Sequence, residues 1–191
     1  MEGSSLNIYD FDKTIYRGDS SFDFFKFSLM KHKKNFLKLP KILWRGLKFK
    51  LHILPKKEFK STVFSIVQNS PSLQNDVEEF WNRNEHKIKK FYLANKKADD
   101  LIISASPEFL LKPICDRLQI SLIATIVDTK TGELIGENCH GAEKVKRLDS
   151  KYHVTSCDEF YSDSLCDDPL AQIAQKAFLV KGEKLVEWPK K

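Results

Sequence analysis

Two aspartates stand two residues apart at the end of a short apolar run. Leu6-Asn7-Ile8-Tyr9 leads into Asp10-Phe11-Asp12, with Lys13 and Thr14 behind them. In an extended chain, alternate side chains share a side, so Asp10 and Asp12 leave the strand together unless a turn begins between them. Two acids held together repel, which favours a shared proton or a cation between them. Asp-x-Asp is also an ordinary loop pattern, so chemistry here requires partners from elsewhere in the chain.

The elements that could bring partners follow residue 100. Leu101-Ile102-Ile103 reads as a strand ending at Ser104. Ser106-Pro107 then opens a helix to Leu118, with Ser106 as N-cap and Pro107 at the first position. Residues 122–127 form an apolar run, 129–132 a turn, and 133–136 pair back as a hairpin. Residues 141–150 read as a helix and 157–161 as a strand running out at Ser162-Asp163. Asp168-Pro169 opens a helix to about 175, residues 177–180 are a strand, and 184–187 a last one. Alternating strands and helices predict an α/β fold with a parallel sheet and right-handed crossovers. Ligands in such sheets sit beyond the carboxyl ends of the strands. Those ends carry Asp10, Asp12, Ser104 and Asp163, with Asp167 and Asp168 just after and Lys144 on a neighbouring helix. Each has an ordinary alternative: Ser104 as a turn residue, Lys144 as a solvated cation, Asp167 and Asp168 as helix caps.

Between the first strand and residue 99 the patterning is helical. Asp19 or Ser20 caps a helix carrying Phe22, Phe25 and Leu29. Pro40 and Pro55 start helices over about 41–54 and 56–69. Another begins at Pro71-Ser72 with Leu73, Val77, Phe80, Trp81, Ile88 and Phe91 as its apolar positions. In the helix after Pro40, Lys41, Arg45, Lys48 and His52 form one narrow stripe. Apolar residues cover most of the remaining arc, so this helix must meet other helices, the body of the protein or a lipid surface.

The chain has 191 residues, 41% of them hydrophobic and 14 of them Phe, enough for a real core. Its net charge of +6 is uneven. Residues 26–60 hold twelve Lys or Arg against one acid, Glu58, a charge of +11 that leaves the remainder at −5. A basic insert thus joins a mildly acidic body. The four cysteines are scattered, which fits a reducing compartment and neither a zinc site nor a disulfide framework. The first residues lack the pattern of a secretory signal, and no run of about 18 apolar residues suggests a membrane span. A cytoplasmic location is expected.

Carboxylates with a hydroxyl and a lysine at strand ends suit phosphoryl transfer. An oxygen-only set favours Mg²⁺. A carboxylate can attack phosphorus, a second acid can protonate the leaving oxygen and later deprotonate water, and Ser and Lys can hold the phosphoryl oxygens.

Asp10-Phe-Asp12-Lys-Thr14, Ile-Ile-Ser104, Gly-Ala-Glu-Lys144 and Tyr-Ser-Asp163-Ser-Leu-Cys-Asp167-Asp168 together resemble, in order, the four motifs of the haloacid dehalogenase superfamily. The helical stretch after the first motif resembles the cap of the subclass that includes phosphoserine phosphatase (subclass IB, C1 cap). The resemblance implies a Rossmann-like three-layer sandwich with a central parallel sheet and an inserted all-helical cap. It assigns 1–15 and 99–191 to the catalytic core and 16–98 to the cap. It implies Asp10 as nucleophile and Mg²⁺ ligand, Asp12 as acid/base and Mg²⁺ ligand through its carbonyl, and Asp163 as the remaining metal ligand. Ser104 and Lys144 would bind the phosphoryl group, Lys144 also acting in catalysis. Thr14 would orient the loop and count with the phosphate-binding residues, and Asp167 would hold Lys144 or a metal-bound water.

Lys13 stands where the family has glycine, and Ser162 precedes Asp163 where the family has Gly-Asp. The acid and arginine that read an amino acid in phosphoserine phosphatase have no evident match. The expectation is a Mg²⁺-dependent phosphomonoester phosphatase working through an aspartyl-phosphate on a small phosphorylated substrate. A lipid-phosphate phosphatase of the phosphatidylglycerophosphate type and a non-catalytic anion-binding protein remain the alternatives. The basic, aromatic insert could steer an anionic substrate, make peripheral contact with an anionic membrane, or bind nucleic acid. No nucleic-acid motif is present, so no nucleic acid is expected as a partner.

Overall fold

The computed structural model describes residues 6–189. Residues 1–5 and 190–191, which include the outer ends of the expected core segments, lie outside the described residues. A six-stranded sheet runs in the order β3-β2-β1-β4-β5-β6. Its strands are β1 (Asn7–Tyr9), β2 (Leu101–Pro107), β3 (Ser121–Thr125), β4 (Cys157–Ser162), β5 (Ala174–Lys181) and β6 (Lys184–Glu187). β1 lies between β2 and β4 and is parallel to both. The strand order reverses at β1, so the Asp-x-Asp segment leaves the sheet at its switch point.

The edge differs from the all-parallel expectation. β6 runs antiparallel to β5, because Gly182-Glu183 alone separates them and so short a turn joins only antiparallel strands. The Asp168 helix is also shorter than expected. It spans Asp168–Ala171 because the chain enters β5 at Ala174.

Strand alternation divides the core into two layers. Ile8, Leu101, Ile103 and Phe160 face one side, against Leu148 of the helix Ala142–Tyr152 and Leu170 of the helix Asp168–Ala171. Tyr9, Ile102 and Tyr161 face the other, against Leu110 and Ile114 of the helix Glu108–Leu118. That second layer continues into the helices between β1 and β2. These are α1 (Ser20–Lys31), α2 (Leu39–Lys50), α3 (Lys56–Phe64), α4 (Leu73–Asn84) and α5 (Lys90–Asn95). The later helices are α6 (Glu108–Leu118), α7 (Ala142–Tyr152) and α8 (Asp168–Ala171).

Trp81 of α4 joins the two regions. It is fully buried and donates Nε1–H to the Leu110 carbonyl at 2.6 Å. α1 begins as expected, with Asp19 accepting the Phe22 N–H at 2.9 Å. Its buried face is Ser20, Phe24 and Ser28 rather than Phe22, Phe25 and Leu29. Phe24 turns in because Phe80 and Phe109 offer aromatic edges at 5.5 and 6.0 Å, leaving Phe22 exposed. α2 starts earlier than expected and ends at Lys50, and a 3₁₀ segment, Lys33–Lys38, precedes it.

Candidate active site

Phe11 shows how the Asp-x-Asp segment works. Its ring is fully buried, 5.8 Å from the Tyr16 ring and 5.9 Å from that of Trp81. Burying such a ring contributes about 1.5–3 kcal/mol. With Phe11 anchored inward, Asp10 and Asp12 both turn toward a cleft of about 300 Å³ at the carboxyl ends of β1, β2 and β4. The cleft also takes in Lys13, Ser104, Ser106, Lys144, Asp163 and Asp167, with Lys56 and Lys60 from α3.

Lys144 is the centre of charge. Its ammonium, 1% exposed, donates to Asp10 Oδ1 and Asp167 Oδ2, both at 2.7 Å. Burial pulls its pKa down, but the two carboxylates outweigh that and hold it above the usual lysine value. Asp10 is pushed up to about 6, chiefly by burial, with Lys144 opposing. The N–H of Asp10 is fixed on the Tyr161 carbonyl at 2.8 Å, so β4 sets the strand end that carries it. Gly141, at φ +58, starts α7 in a conformation that L residues rarely adopt. A Cβ there would make only ordinary contact, 3.4 Å from the Cys166 carbonyl oxygen, so the backbone angle and not crowding calls for glycine.

Ser162 explains its departure from the family pattern. Its buried hydroxyl donates to Asp167 Oδ2 at 2.8 Å, helping to hold the carboxylate that holds Lys144. Asp167 occupies the N-cap position of α8 but makes no side-chain cap bond there.

Asp12 has different neighbours. Oδ1 accepts the Ser20 N–H at the start of α1 at 2.6 Å, and Oδ2 accepts the Ser106 hydroxyl. Burial pushes its pKa up to about 7, with Asp19 adding and the hydroxyl and N–H donors opposing. A carboxyl of that value exchanges a proton near neutrality, as an acid/base needs. Ser106 is not the helix cap expected from the sequence. β2 runs on through Pro107 with a register shift between Ser104 and Pro107, and α6 starts at Glu108. The shift turns Ser106 toward Asp12, while its N–H donates to Ser104 Oγ at 3.1 Å. Ser104 is buried at the cleft and still carries a hydroxyl proton to donate.

Thr14 is fully buried and does not line the cleft. Its hydroxyl accepts the Asp163 N–H at 2.9 Å and so ties the segment after β1 to the end of β4. Burial raises the Asp163 pKa, with Lys13 opposing. Asp168 stands away from the cleft, accepting from Trp188 Nε1 at 3.0 Å.

Lys13 has φ +56, which accounts for glycine in the family pattern at this step. A non-glycine residue there costs about 1–2 kcal/mol. Buried Lys89 opposes that cost, donating to the Lys13 carbonyl and, at 2.7 Å, to that of Gly182. Lys60 comes in from α3. It reaches the Ala105 carbonyl at 2.8 Å and Asn138 Oδ1 at 2.7 Å. Burial, then Lys56, lowers its pKa to about 8. Nothing local distinguishes Lys60 or Lys89 from the other basic residues of the segments around them.

Of the groups that line the cleft, the Asp10 and Asp163 carboxylates offer a cation oxygen donors. Among the described residues no three His, Cys, Asp or Glu side chains gather closely enough to hold a metal by themselves. The set therefore fits an ion that keeps water and substrate oxygens in its shell, as Mg²⁺ does.

The family described as haloacid dehalogenase-like hydrolase matches residues 8–172. No curated protein matches the chain. A protein of unknown function from Bordetella pertussis Tohama I superposes with a TM-score of 0.73 at 19% identity, over 91% of this chain and 88% of that one. A phosphoserine phosphohydrolase-like protein from Francisella tularensis subsp. tularensis SCHU S4 gives 0.56 at 18% identity, over 91% and 86%. A substrate-bound phosphoserine phosphatase gives 0.58 at 15% identity, over 93% and 86%. At these identities the likeness is one of fold.

Proposed function

Since the chain belongs to the haloacid dehalogenase-like hydrolase family, we propose that it is a Mg²⁺-dependent phosphomonoester phosphatase acting through an aspartyl-phosphate on a small phosphorylated substrate. The observation that carries this reading is the division of labour between two carboxylates, Asp10 buried and Asp12 half-buried. The Lys144 ammonium bonded to Asp10 favours its carboxylate, whereas burial raises Asp12 toward neutrality against the Ser20 and Ser106 donors.

The Asp10 carboxylate attacks phosphorus and the bond to the leaving oxygen breaks. Asp12 gives its proton to that oxygen. Asp12, now a base, takes a proton from water, which attacks the phosphorus and returns Asp10 as carboxylate with release of phosphate. Lys144 and the Ser104 hydroxyl stabilise the equatorial oxygens, where charge accumulates in the transition state. Asp10, Asp163 and the Asp12 carbonyl would hold Mg²⁺, which supplies charge neutralisation that lets an anionic nucleophile approach a dianion. Residues 16–98 act as a cap over a core of 1–15 and 99–191. Lys56 and Lys60 bring its positive charge to the mouth of the cleft and favour anionic substrates.

Phosphate release from para-nitrophenyl phosphate with added Mg²⁺ tests this. Wild type turns over, chelator stops it, and Asp10→Asn is inactive. If wild type and Asp10→Asn are equally inactive with Mg²⁺ present, the non-catalytic anion-binding alternative stands instead.

A further inference from the structure

The outer face of α2 breaks the usual rule for a water-soluble helix. Leu43, Trp44, Leu47, Leu51 and Ile53 are between 49% and 70% exposed. Pro40, Leu43, Trp44, Leu47 and Leu51 follow the spacing of a single helical stripe, so they form one continuous face. Phe36 and Leu37, also exposed, extend it backward. The helix is anchored from its other side. Phe49 stacks on Phe59 of α3 at 5.2 Å, a Cβ on Gly46 would come within 3.3 Å of the same ring, and Ile42 is the one buried residue of α2.

The surroundings of the face are cationic. Lys33, Lys34, Lys41, Lys48, Lys50 and Lys56 flank it, and Glu58, the single acid from Lys26 to Lys60, is bound to Arg45 at 2.8 Å. Lys48 extends its ammonium over the Trp44 ring at 5.2 Å. Aliphatic groups projecting between lysines, with a tryptophan at their margin, match the boundary between acyl chains and anionic headgroups.

We propose that this face docks on a bilayer bearing anionic lipid, with Leu43, Trp44, Leu47, Leu51 and Ile53 entering the headgroup–acyl boundary and the flanking lysines meeting the headgroups. A second copy fits poorly, because a twofold contact would set the same basic face against itself. Nucleic acid accounts for the lysines but not for the projecting leucines. The surface also has a position that serves the cleft. The α2–α3 turn carries Leu51 and Ile53 and passes directly into Lys56, which lines the cleft, so a docked bilayer brings its headgroup plane to the cleft mouth. The docking itself does not depend on the phosphatase reading, and its test needs no turnover.

The test uses the full chain with vesicles of phosphatidylcholine alone or with a third phosphatidylglycerol, read by co-sedimentation and tryptophan emission. Trp81 and Trp188 are buried, so a blue shift on binding reports Trp44 and disappears in Trp44→Phe. Expected is binding to the anionic vesicles, weakened by salt. Leu43→Asp with Leu47→Asp should lose about tenfold or more in partitioning. Lys41→Glu with Lys48→Glu should lose roughly fivefold per site. Circular dichroism and Tm should be unchanged in both. Absence of binding to anionic vesicles, equal binding to neutral ones, or full binding by both double variants overturns the proposal. So does a dimer in sedimentation velocity that Leu47→Asp dissociates, or a nucleic-acid duplex bound where the vesicles are not.

Discussion

Lys144 and Leu47 are each in the wrong solvent by ordinary rules, one a charge in the interior and the other an apolar side chain in water. The two regions resolve this differently. At the carboxyl ends of β1 and β4, the Lys144 ammonium is matched inside the fold by Asp10 and Asp167, so the charge is compensated before any ligand arrives. On α2 nothing within the described residues covers the leucines, and the match must come from outside. An internally compensated charge marks where chemistry is prepared, whereas an uncompensated apolar face marks where the molecule expects a partner.

The largest effect expected from breaking the first arrangement is that of Lys144→Met. It leaves Asp10 and Asp167 buried without their cation, and should cost about 3–5 kcal/mol in urea denaturation. Turnover should fall by about two to three orders of magnitude. A loss of stability under 1 kcal/mol would mean that the cluster is more open to water than its geometry indicates. Asp12→Asn comes next and sharpens the division between the two acids. It should slow release of an alkyl phosphate by about two orders of magnitude. It should slow para-nitrophenyl phosphate less, because that leaving group needs little protonation. Equal losses on both substrates would remove Asp12 from the role of acid.

The smallest effect belongs to Lys60, at the border between the two regions. Its folded pKa of about 8 lies below the ordinary 10.5. Between those values the folded chain binds fewer protons than the unfolded one, so this residue makes stability rise with pH across that window. Above pH 8 the same deprotonation removes a positive charge from the cleft, and KM for an anionic substrate should climb. Lys60→Met should flatten both trends, and a wild-type slope that persists in the variant would contradict the assignment.

The strand ends were legible because their residues are local signals. The apolar run before Asp10, the Ser104 that follows Leu101-Ile102-Ile103, and the Gly141 start of the Lys144 helix each declare a boundary. Their convergence then follows from the rule for parallel sheets. Legibility failed where distant contacts decide. Ser106 reads as a cap, but a register shift against β3 turns it to Asp12. Phe22 and Phe24 look equivalent until Phe80 and Phe109 select one. The arc of α2 reads as apolar on several sides, and only the contact with α3 decides which part is covered and which stays in water.

The central claim is that Asp10 carries the phosphoryl group between substrate and water. Rapid acid quenching during turnover, followed by mass spectrometry of the peptide containing Asp10, measures this directly. The added mass of one phosphoryl group is expected on Asp10 in wild type, with Mg²⁺ present, and none in Asp10→Asn. Active turnover with the label on another residue, or with no covalent label under conditions that trap acyl phosphates, would contradict it.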